Sequence, residues 1–183
     1  FGGLITENRD ILVEAGQDAR VSNINAGTAA VEIVVFNGAI TGGGSIDVTA
    51  SSLRLRAETG IGEVGDPLLT NVATVAALTQ DGPIQISNLS DLIVGTVGTM
   101  SVMEVLYSSG LALRAAATPG SDVSISDIRT LGAGDIGIFS STGSVTLTDG
   151  VIADGIAVQS QGGDIVIEAA TFVLQQADIL TNG

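Results

Sequence analysis

A short phrase recurs along almost the whole chain: an apolar residue, any residue, then a second apolar residue, usually after Gly, Ser or Asp. Alternation of this kind predicts short β-strands with one buried face. The phrases stand at 11–13, 31–33, 46–48, 53–55, 84–86, 111–113, 123–125, 136–138, 145–147, 156–158 and 165–167.

The spacing of the phrases indicates how the strands are arranged. The first residues of the phrases at 11 and 31, and of those at 145 and 165, are 20 residues apart, and the intervals 46–84 and 84–123 are close to twice that. A period of about 20 is too short for helical repeats or propeller blades and fits one coil of a β-solenoid. We therefore predict one all-β domain over residues 1–183, a β-solenoid of about nine coils of roughly 20 residues. The alternation alone also allows an antiparallel β-sandwich.

The composition suits a narrow column of stacked aliphatic side chains, since 45% of residues are hydrophobic but only 3% are aromatic. The 25 glycines cluster at the expected corners, for example at 42–44 and 162–163. The segment 66–78 is ambiguous, because Asp66 and Pro67 could begin a capped helix. Its Thr and Val residues lower the helix propensity, so we favour strand.

The residues that are missing exclude most catalytic and metal chemistry. The chain has no His and no Cys, and therefore no Ser-His-Asp triad, thiol nucleophile, disulfide or ordinary zinc, haem or iron–sulfur site. Its net charge of -14 disfavours nucleic acids and anionic membranes, and no apolar run approaches the roughly 18 residues of a membrane span. We expect no catalytic, cofactor-binding or metal-binding residues, and no membrane insertion.

One motif deserves comparison with a nucleotide-binding loop, because residues 60–65 match GxGxxG. In a chain this rich in glycine the match is weak. The preceding strand also carries Arg54 and Arg56, which a central strand covered on both faces could not bury. We interpret 60–65 as a solenoid turn, and we expect both arginines to point into solvent and to pair with acidic residues of adjacent coils.

Carboxylates near turns could supply a general acid and base, as in glycosidases: Asp122 with Asp127, or Asp149 with Asp154. The chain has one Tyr and no Trp as sugar platforms, so solvated turn carboxylates are the better interpretation. Fragments of a calcium-binding nonapeptide occur at 132–135 and 162–164, without the tandem period that such sites need. The dense apolar cluster at 100–107 is interpreted as core packing rather than as a partner-binding patch.

Several segments resemble the repeats of filamentous-haemagglutinin-like exoproteins. They lie at 44–50, 53–62, 67–70, 82–88, 134–138, 143–147 and 163–170. The resemblance covers most of 42–183. It implies a right-handed parallel β-helix within a long secreted or surface-attached bacterial adhesin, without enzymatic activity in the repeats.

These observations predict a structural role, as a rigid rod segment of a bacterial surface adhesin or of a self-stacking extracellular fibre. The strand pattern continues to 178–183 without an evident cap, so we expect either a longer parent chain or end-to-end stacking of subunits. A cell-surface or matrix receptor would be a further partner. The alternative is a polysaccharide-active or receptor-binding β-helix.

Overall fold

The computed structural model describes residues 4–100, 102–108, 111–117, 124–151 and 153–182. Within these ranges the chain forms 19 β-strands and no helix. The strands are β1 (Ile11–Ala15), β2 (Ala19–Arg20), β3 (Ile24–Asn25), β4 (Ala30–Val35), β5 (Ala39–Thr41), β6 (Val48–Ala57), β7 (Gly60–Ile61), β8 (Leu68–Thr79), β9 (Ile84–Asn88), β10 (Leu92–Val94), β11 (Val102–Ser108), β12 (Leu111–Ala117), β13 (Ile128–Thr130), β14 (Ile136–Ser140), β15 (Val145–Leu147), β16 (Ile156–Ser160), β17 (Ile165–Ala169), β18 (Val173–Gln175) and β19 (Asp178–Thr181).

All strands except β11 and β12 belong to one 17-stranded sheet, in which every strand pairing is parallel. Each strand lies on a strand one repeat away. The first ladder of this kind contains β1, β4, β6, β8, β13, β16 and β19. Parallel pairing throughout the sheet excludes the antiparallel β-sandwich.

A second ladder runs through β2, β5, β7, β9, β14 and β17, and it shows why the sequence repeats. Its register places Ala19, Ile40, Ile61, Ile84, Ile136 and Ile165 in one column. The four middle isoleucines of this column are at most 1% exposed. Identical aliphatic side chains therefore fill the core layer after layer, which is what the alternating phrases predicted.

An insertion interrupts the stack between β10 and β13. Strand β10 pairs with Thr74 and Val75 of β8, whereas β13 pairs with Ala77–Thr79 of the same strand. We call residues 95–127 the insertion; its described parts, 95–100, 102–108, 111–117 and 124–127, contain no strand of this sheet. Their strands β11 and β12 pair with each other in an antiparallel hairpin.

Two sequence expectations can now be compared with the fold. From Leu68 onward the segment 66–78 is strand β8 rather than a helix, and Leu68, Val72 and Val75 are buried in the core. The expected nine coils are not confirmed, because the first ladder contains seven strands. The phrase at 111–113 lies in the hairpin instead of in a layer of the stack.

Aspartates that stand immediately before a strand join successive layers. Each accepts a hydrogen bond from a backbone N–H of the next layer. The pairs are Asp10 with Ala30 (3.0 Å), Asp18 with Ala39 (2.9 Å), Asp47 with Leu69 (3.0 Å), Asp91 with Ser144 (2.8 Å) and Asp135 with Asp164 (2.9 Å). Part of the acidic excess in the composition therefore has a structural cause.

Asp47 offers a test of this device. Its Oδ1 accepts hydrogen bonds from the N–H groups of Gly43 (2.9 Å) and Gly44 (2.8 Å), in addition to the bond from Leu69 to Oδ2. Because Asp47 is buried, we expect Asp47→Ala to lower the free energy of unfolding by about 2 kcal/mol, measured by urea denaturation. Asp47→Asn keeps one acceptor oxygen and should lose about half as much; equal losses would contradict the assignment.

Candidate functional site

The outer face of β4 and β6 carries an ion pair that is closed off from solvent. The register places Glu32 of β4 against Arg54 of β6, one layer apart. Arg54 donates from Nη2 to Glu32 Oε2 at 2.6 Å and from Nε to Glu32 Oε1 at 2.9 Å. Both side chains are 0% exposed. This bidentate geometry is the strongest form of a carboxylate–guanidinium contact.

The insertion covers this ion pair. Arg54 donates from Nη1 to the carbonyl oxygen of Gly98 at 3.2 Å. Beside it, Val97 and Ile125 of the insertion form a small buried cluster with Ala76 of β8, against which Leu78 packs. The strands of the first ladder are therefore covered on both faces where the insertion lies on them.

The expectation for Arg54 is thus half confirmed. Its partner is an acidic residue of the adjacent layer, as predicted, but the prediction of a solvated position is wrong because the insertion lies over it. Arg56 is half-buried, and no ion pair joins it to a carboxylate among the described residues. It lines a shallow groove with Phe36, Glu58 and Gln80.

A second group of charges lies where the insertion returns to the sheet. Asp127 is fully buried, and its Oδ2 lies 3.1 Å from Arg129 Nη2. The same Nη2 lies 2.5 Å from Asp154 Oδ2, in the loop that leads to β16. Within the described chain, Asp127 Oδ1 and Arg129 Nε have no hydrogen-bond partner. We call Asp127, Arg129 and Asp154 the Arg129 cluster.

The environments of Asp127 and Asp154 drive the pKa values of their carboxyls apart. Burial raises the pKa of Asp127 to about 6, against the opposing effect of Arg129, and the negative charges of Asp154 and Asp149 add to the rise. The hydrogen bond from Arg129 lowers the pKa of Asp154 below its usual range. Burial alone would lower the pKa of Arg129, but Asp154 and Asp127 together raise it above its usual value.

The predicted acid–base pairs are not the pairs that the fold forms. Asp122 lies outside the described residues. Asp127 is linked to Asp154, across two layers, and Arg129 bridges their carboxylates. The interpretation of these residues as solvated turn carboxylates is wrong for Asp127, which is buried. Sequence analysis overlooked Arg129, although its position two residues after Asp127 in an apolar phrase was a usable signal.

The glycine motif at 60–65 has a packing role. A Cβ at Gly62 would lie 2.3 Å from Gln85 O and 2.7 Å from Leu68 N, so only glycine fits this close approach between layers. The next element is strand β8 rather than a helix whose N-terminus could hold a phosphate. The calcium-like fragments likewise lie at corners, where the Asp135 carboxylate accepts a hydrogen bond from the backbone N–H of Asp164. Among the described residues, no cluster of three or more Asp or Glu side chains is arranged to hold a metal ion.

The apolar cluster at 100–107 is described only in part. Met100 is buried, as the core-packing interpretation requires. Residue 101 lies outside the described residues, and 102–107 belong to the hairpin strand β11.

A groove of about 370 Å³ lies on the outer face of the second ladder. Gln85, Phe139 and Val166 line it, and the carboxylates of Asp164 and Glu168 stand at its rim. Gly137 forms part of its floor, because a Cβ there would meet Gln85 Oε1 at 2.1 Å and the Phe139 ring at 2.8 Å. The side chains of Gln85 and Phe139 thus occupy the space above the glycine.

Comparisons with protein-family models, with curated proteins and with solved structures found no match to this chain. In the part of the chain that the structure describes, no helix is long and apolar enough to cross a bilayer. The function must therefore be argued from the fold and from these side chains.

Proposed function

We propose that this chain is a rigid rod segment of an extracellular bacterial adhesin or fibre, built as a right-handed parallel β-helix. One observation carries the proposal: the parallel strands stack in register, with aliphatic residues in continuous columns from β2 to β17. Seven strands of the first ladder, at the usual strand spacing, span about 30 Å. A stack of this kind extends by adding layers and keeps a constant cross-section.

The exposed edge of the last layer supports stacking of copies end to end. Strands β17, β18 and β19 each pair on one side only, with β14, β15 and β16. Val173 and Ile179 continue inward-facing columns, yet they are 42% and 38% exposed. An unpaired edge with exposed core residues is a template for a further layer of the same kind from a second copy.

Labelling of intact source cells tests the location. Antibodies raised against the chain should bind intact cells, and electron microscopy should place the label away from the cell envelope. Label that appears only after permeabilisation would contradict the proposal. Microscopy of the purified chain tests the stacking, since filaments of uniform width indicate that copies stack.

A polysaccharide panel tests the enzymatic alternative. Arg129 lies between the carboxylates of Asp127 and Asp154, so both carboxylates face its guanidinium rather than an open cleft. We expect no depolymerisation of neutral or acidic polysaccharides. Depolymerisation that Asp154→Asn abolishes would favour the enzyme instead.

A further inference from the structure

The two ends of the insertion meet at one place, which we call its base. Val97 N donates to Ile125 O at 2.9 Å, and Asp127 N donates to Gly95 O at 3.2 Å. The hydroxyls of Thr96 and Ser126 are 2.9 Å apart. The base is therefore closed by a few hydrogen bonds between two short segments, residues 95–97 and 125–127.

Asp127 is the last residue of the insertion and directly precedes β13. Its backbone has a φ of 69°, which is unusual for a residue other than glycine. Its carbonyl accepts a hydrogen bond from Ala77 N at 2.9 Å, which ties the base to β8. Its Oδ1 is buried without a partner in the described chain. The backbone of Asp127 is thus strained, and the burial of its ionised carboxylate is unfavourable.

The loop before β16 closes the base from the other side. Val151 N donates to Thr96 Oγ1 at 2.8 Å and to Ser126 Oγ at 3.1 Å. At Gly150 the backbone comes so close that a Cβ would lie 2.8 Å from Asp127 Oδ1. The same loop brings the carboxylates of Asp149 and Asp154 near Asp127.

The charges around Asp127 do not balance when it is ionised. In the described chain it faces one cation, Arg129 of β13, and two anions, Asp154 and Asp149. Arg129 is shared with Asp154, to which it is closer. Protonation of Asp127 removes one of the three negative charges, and Arg129 then forms an ion pair with Asp154 alone.

We propose that Asp127 is a pH-dependent latch: when its carboxyl is protonated it holds the base firmly closed on β8, and when it is ionised it loosens the base. The residues next to the base include Gly98, whose carbonyl accepts the hydrogen bond from Arg54. Loosening the base therefore weakens the cover of the Glu32–Arg54 ion pair. This regulation does not depend on the proposed role as a rod.

The direction of the pH dependence follows from linkage. The pKa of Asp127 is about 6 in the closed base, against 3.8 for an ordinary aspartate. The closed base therefore binds the proton more tightly than the open one. Its stability is greatest below pH 3.8, falls as the pH rises towards 6 and is level above that.

Hydrogen exchange at the amides of Val97, Ile125 and Asp127 tests the latch, after correction for the intrinsic rates. Between pH 5.0 and 7.5 we expect the opening constant of these amides to rise about tenfold. In Asp127→Asn the ratio of the opening constants at pH 7.5 and pH 5.0 should be close to one, because asparagine tolerates the positive φ and does not titrate. Asp164→Asn, which changes an exposed carboxylate at the groove, should keep the tenfold ratio.

An unchanged opening constant in the wild-type chain, or the same tenfold rise in Asp127→Asn, would overturn the latch. Carbon-13 NMR of the Asp127 carboxyl in the wild-type chain gives a measurement that needs no variant. A titration midpoint near pH 6, with base amides shifting at the same midpoint, is expected. A midpoint near 4 would refute the proposal even if the variant failed to fold.

Discussion

Replacing Arg54 with alanine should lower the free energy of unfolding by about 3–5 kcal/mol, measured by urea denaturation. The substitution leaves the Glu32 carboxylate buried at 0% exposure without the guanidinium that donates to both of its oxygens. It also removes the donor to Gly98 O, which holds the insertion over the strand. The loss should therefore exceed that of any exposed ion pair, which is worth at most about 1 kcal/mol.

Two further variants test whether the loss of stability comes from the unpaired charge of Glu32. Arg56→Ala, on the same strand but half-buried, should cost no more than about 1 kcal/mol. The double variant Glu32→Met with Arg54→Met should be close to the wild type in stability, because apolar replacement of a buried pair is often neutral. The flanking residues of this row, Leu12 and Ala76, are already apolar. A double variant as unstable as Arg54→Ala would show that the pair itself stabilises the fold.

The parallel stack was predictable because its core is periodic. Each layer places the same kind of side chain in the same column, so the isoleucines at 40, 61, 84, 136 and 165 mark the register in the sequence. Strand β8 was predictable for the same reason, since its Thr and Val residues suit a strand stacked on both sides. Local pattern and tertiary packing agree in these segments.

The insertion was not predictable, because β12 alternates at 111–113 like the stacked strands. Only the direction of its pairing with β11 distinguishes β12 from a stacked strand, and the periodicity of the sequence does not reveal that direction. The burial of Arg54 follows from this, since Gly98 lies 44 residues further along the chain. A prediction from alternation could place Arg54 on the outer face, but it could not reveal what covers that face.

The Arg129 cluster was missed for a related reason. Sequence analysis paired carboxylates that are near neighbours in the chain, whereas the fold joins Asp127, through Arg129 of β13, to Asp154 of the neighbouring layer. In a stack of parallel strands, residues about one layer apart are spatial neighbours, and links of unequal length obscure which ones meet. The pairing of side chains across layers therefore requires the register, which the sequence indicates only where the core is regular.

A column of glycines at one corner provides the second large effect. A Cβ at Gly134 would lie 1.9 Å from the carbonyl oxygen of Gly82, and one at Gly163 would lie 2.3 Å from that of Gly134. The obstructing atoms are backbone, so they cannot rotate away as a side chain could. We expect Gly134→Ala to lower the free energy of unfolding by about 3–4 kcal/mol in urea denaturation, because the layers must separate locally.

The position of each glycine in the stack predicts a gradient. Gly163 belongs to the last layer, whose strands β17 to β19 pair on one side only and can shift outward. Gly163→Ala should therefore cost about half as much as Gly134→Ala. Gly16→Ala is the matched control, since nothing lies within 4 Å of its added Cβ, and it should change stability by less than about 0.5 kcal/mol. If all three variants were equally stable, the close approach of layers at this corner would be wrong, and with it the register on which the rod proposal rests.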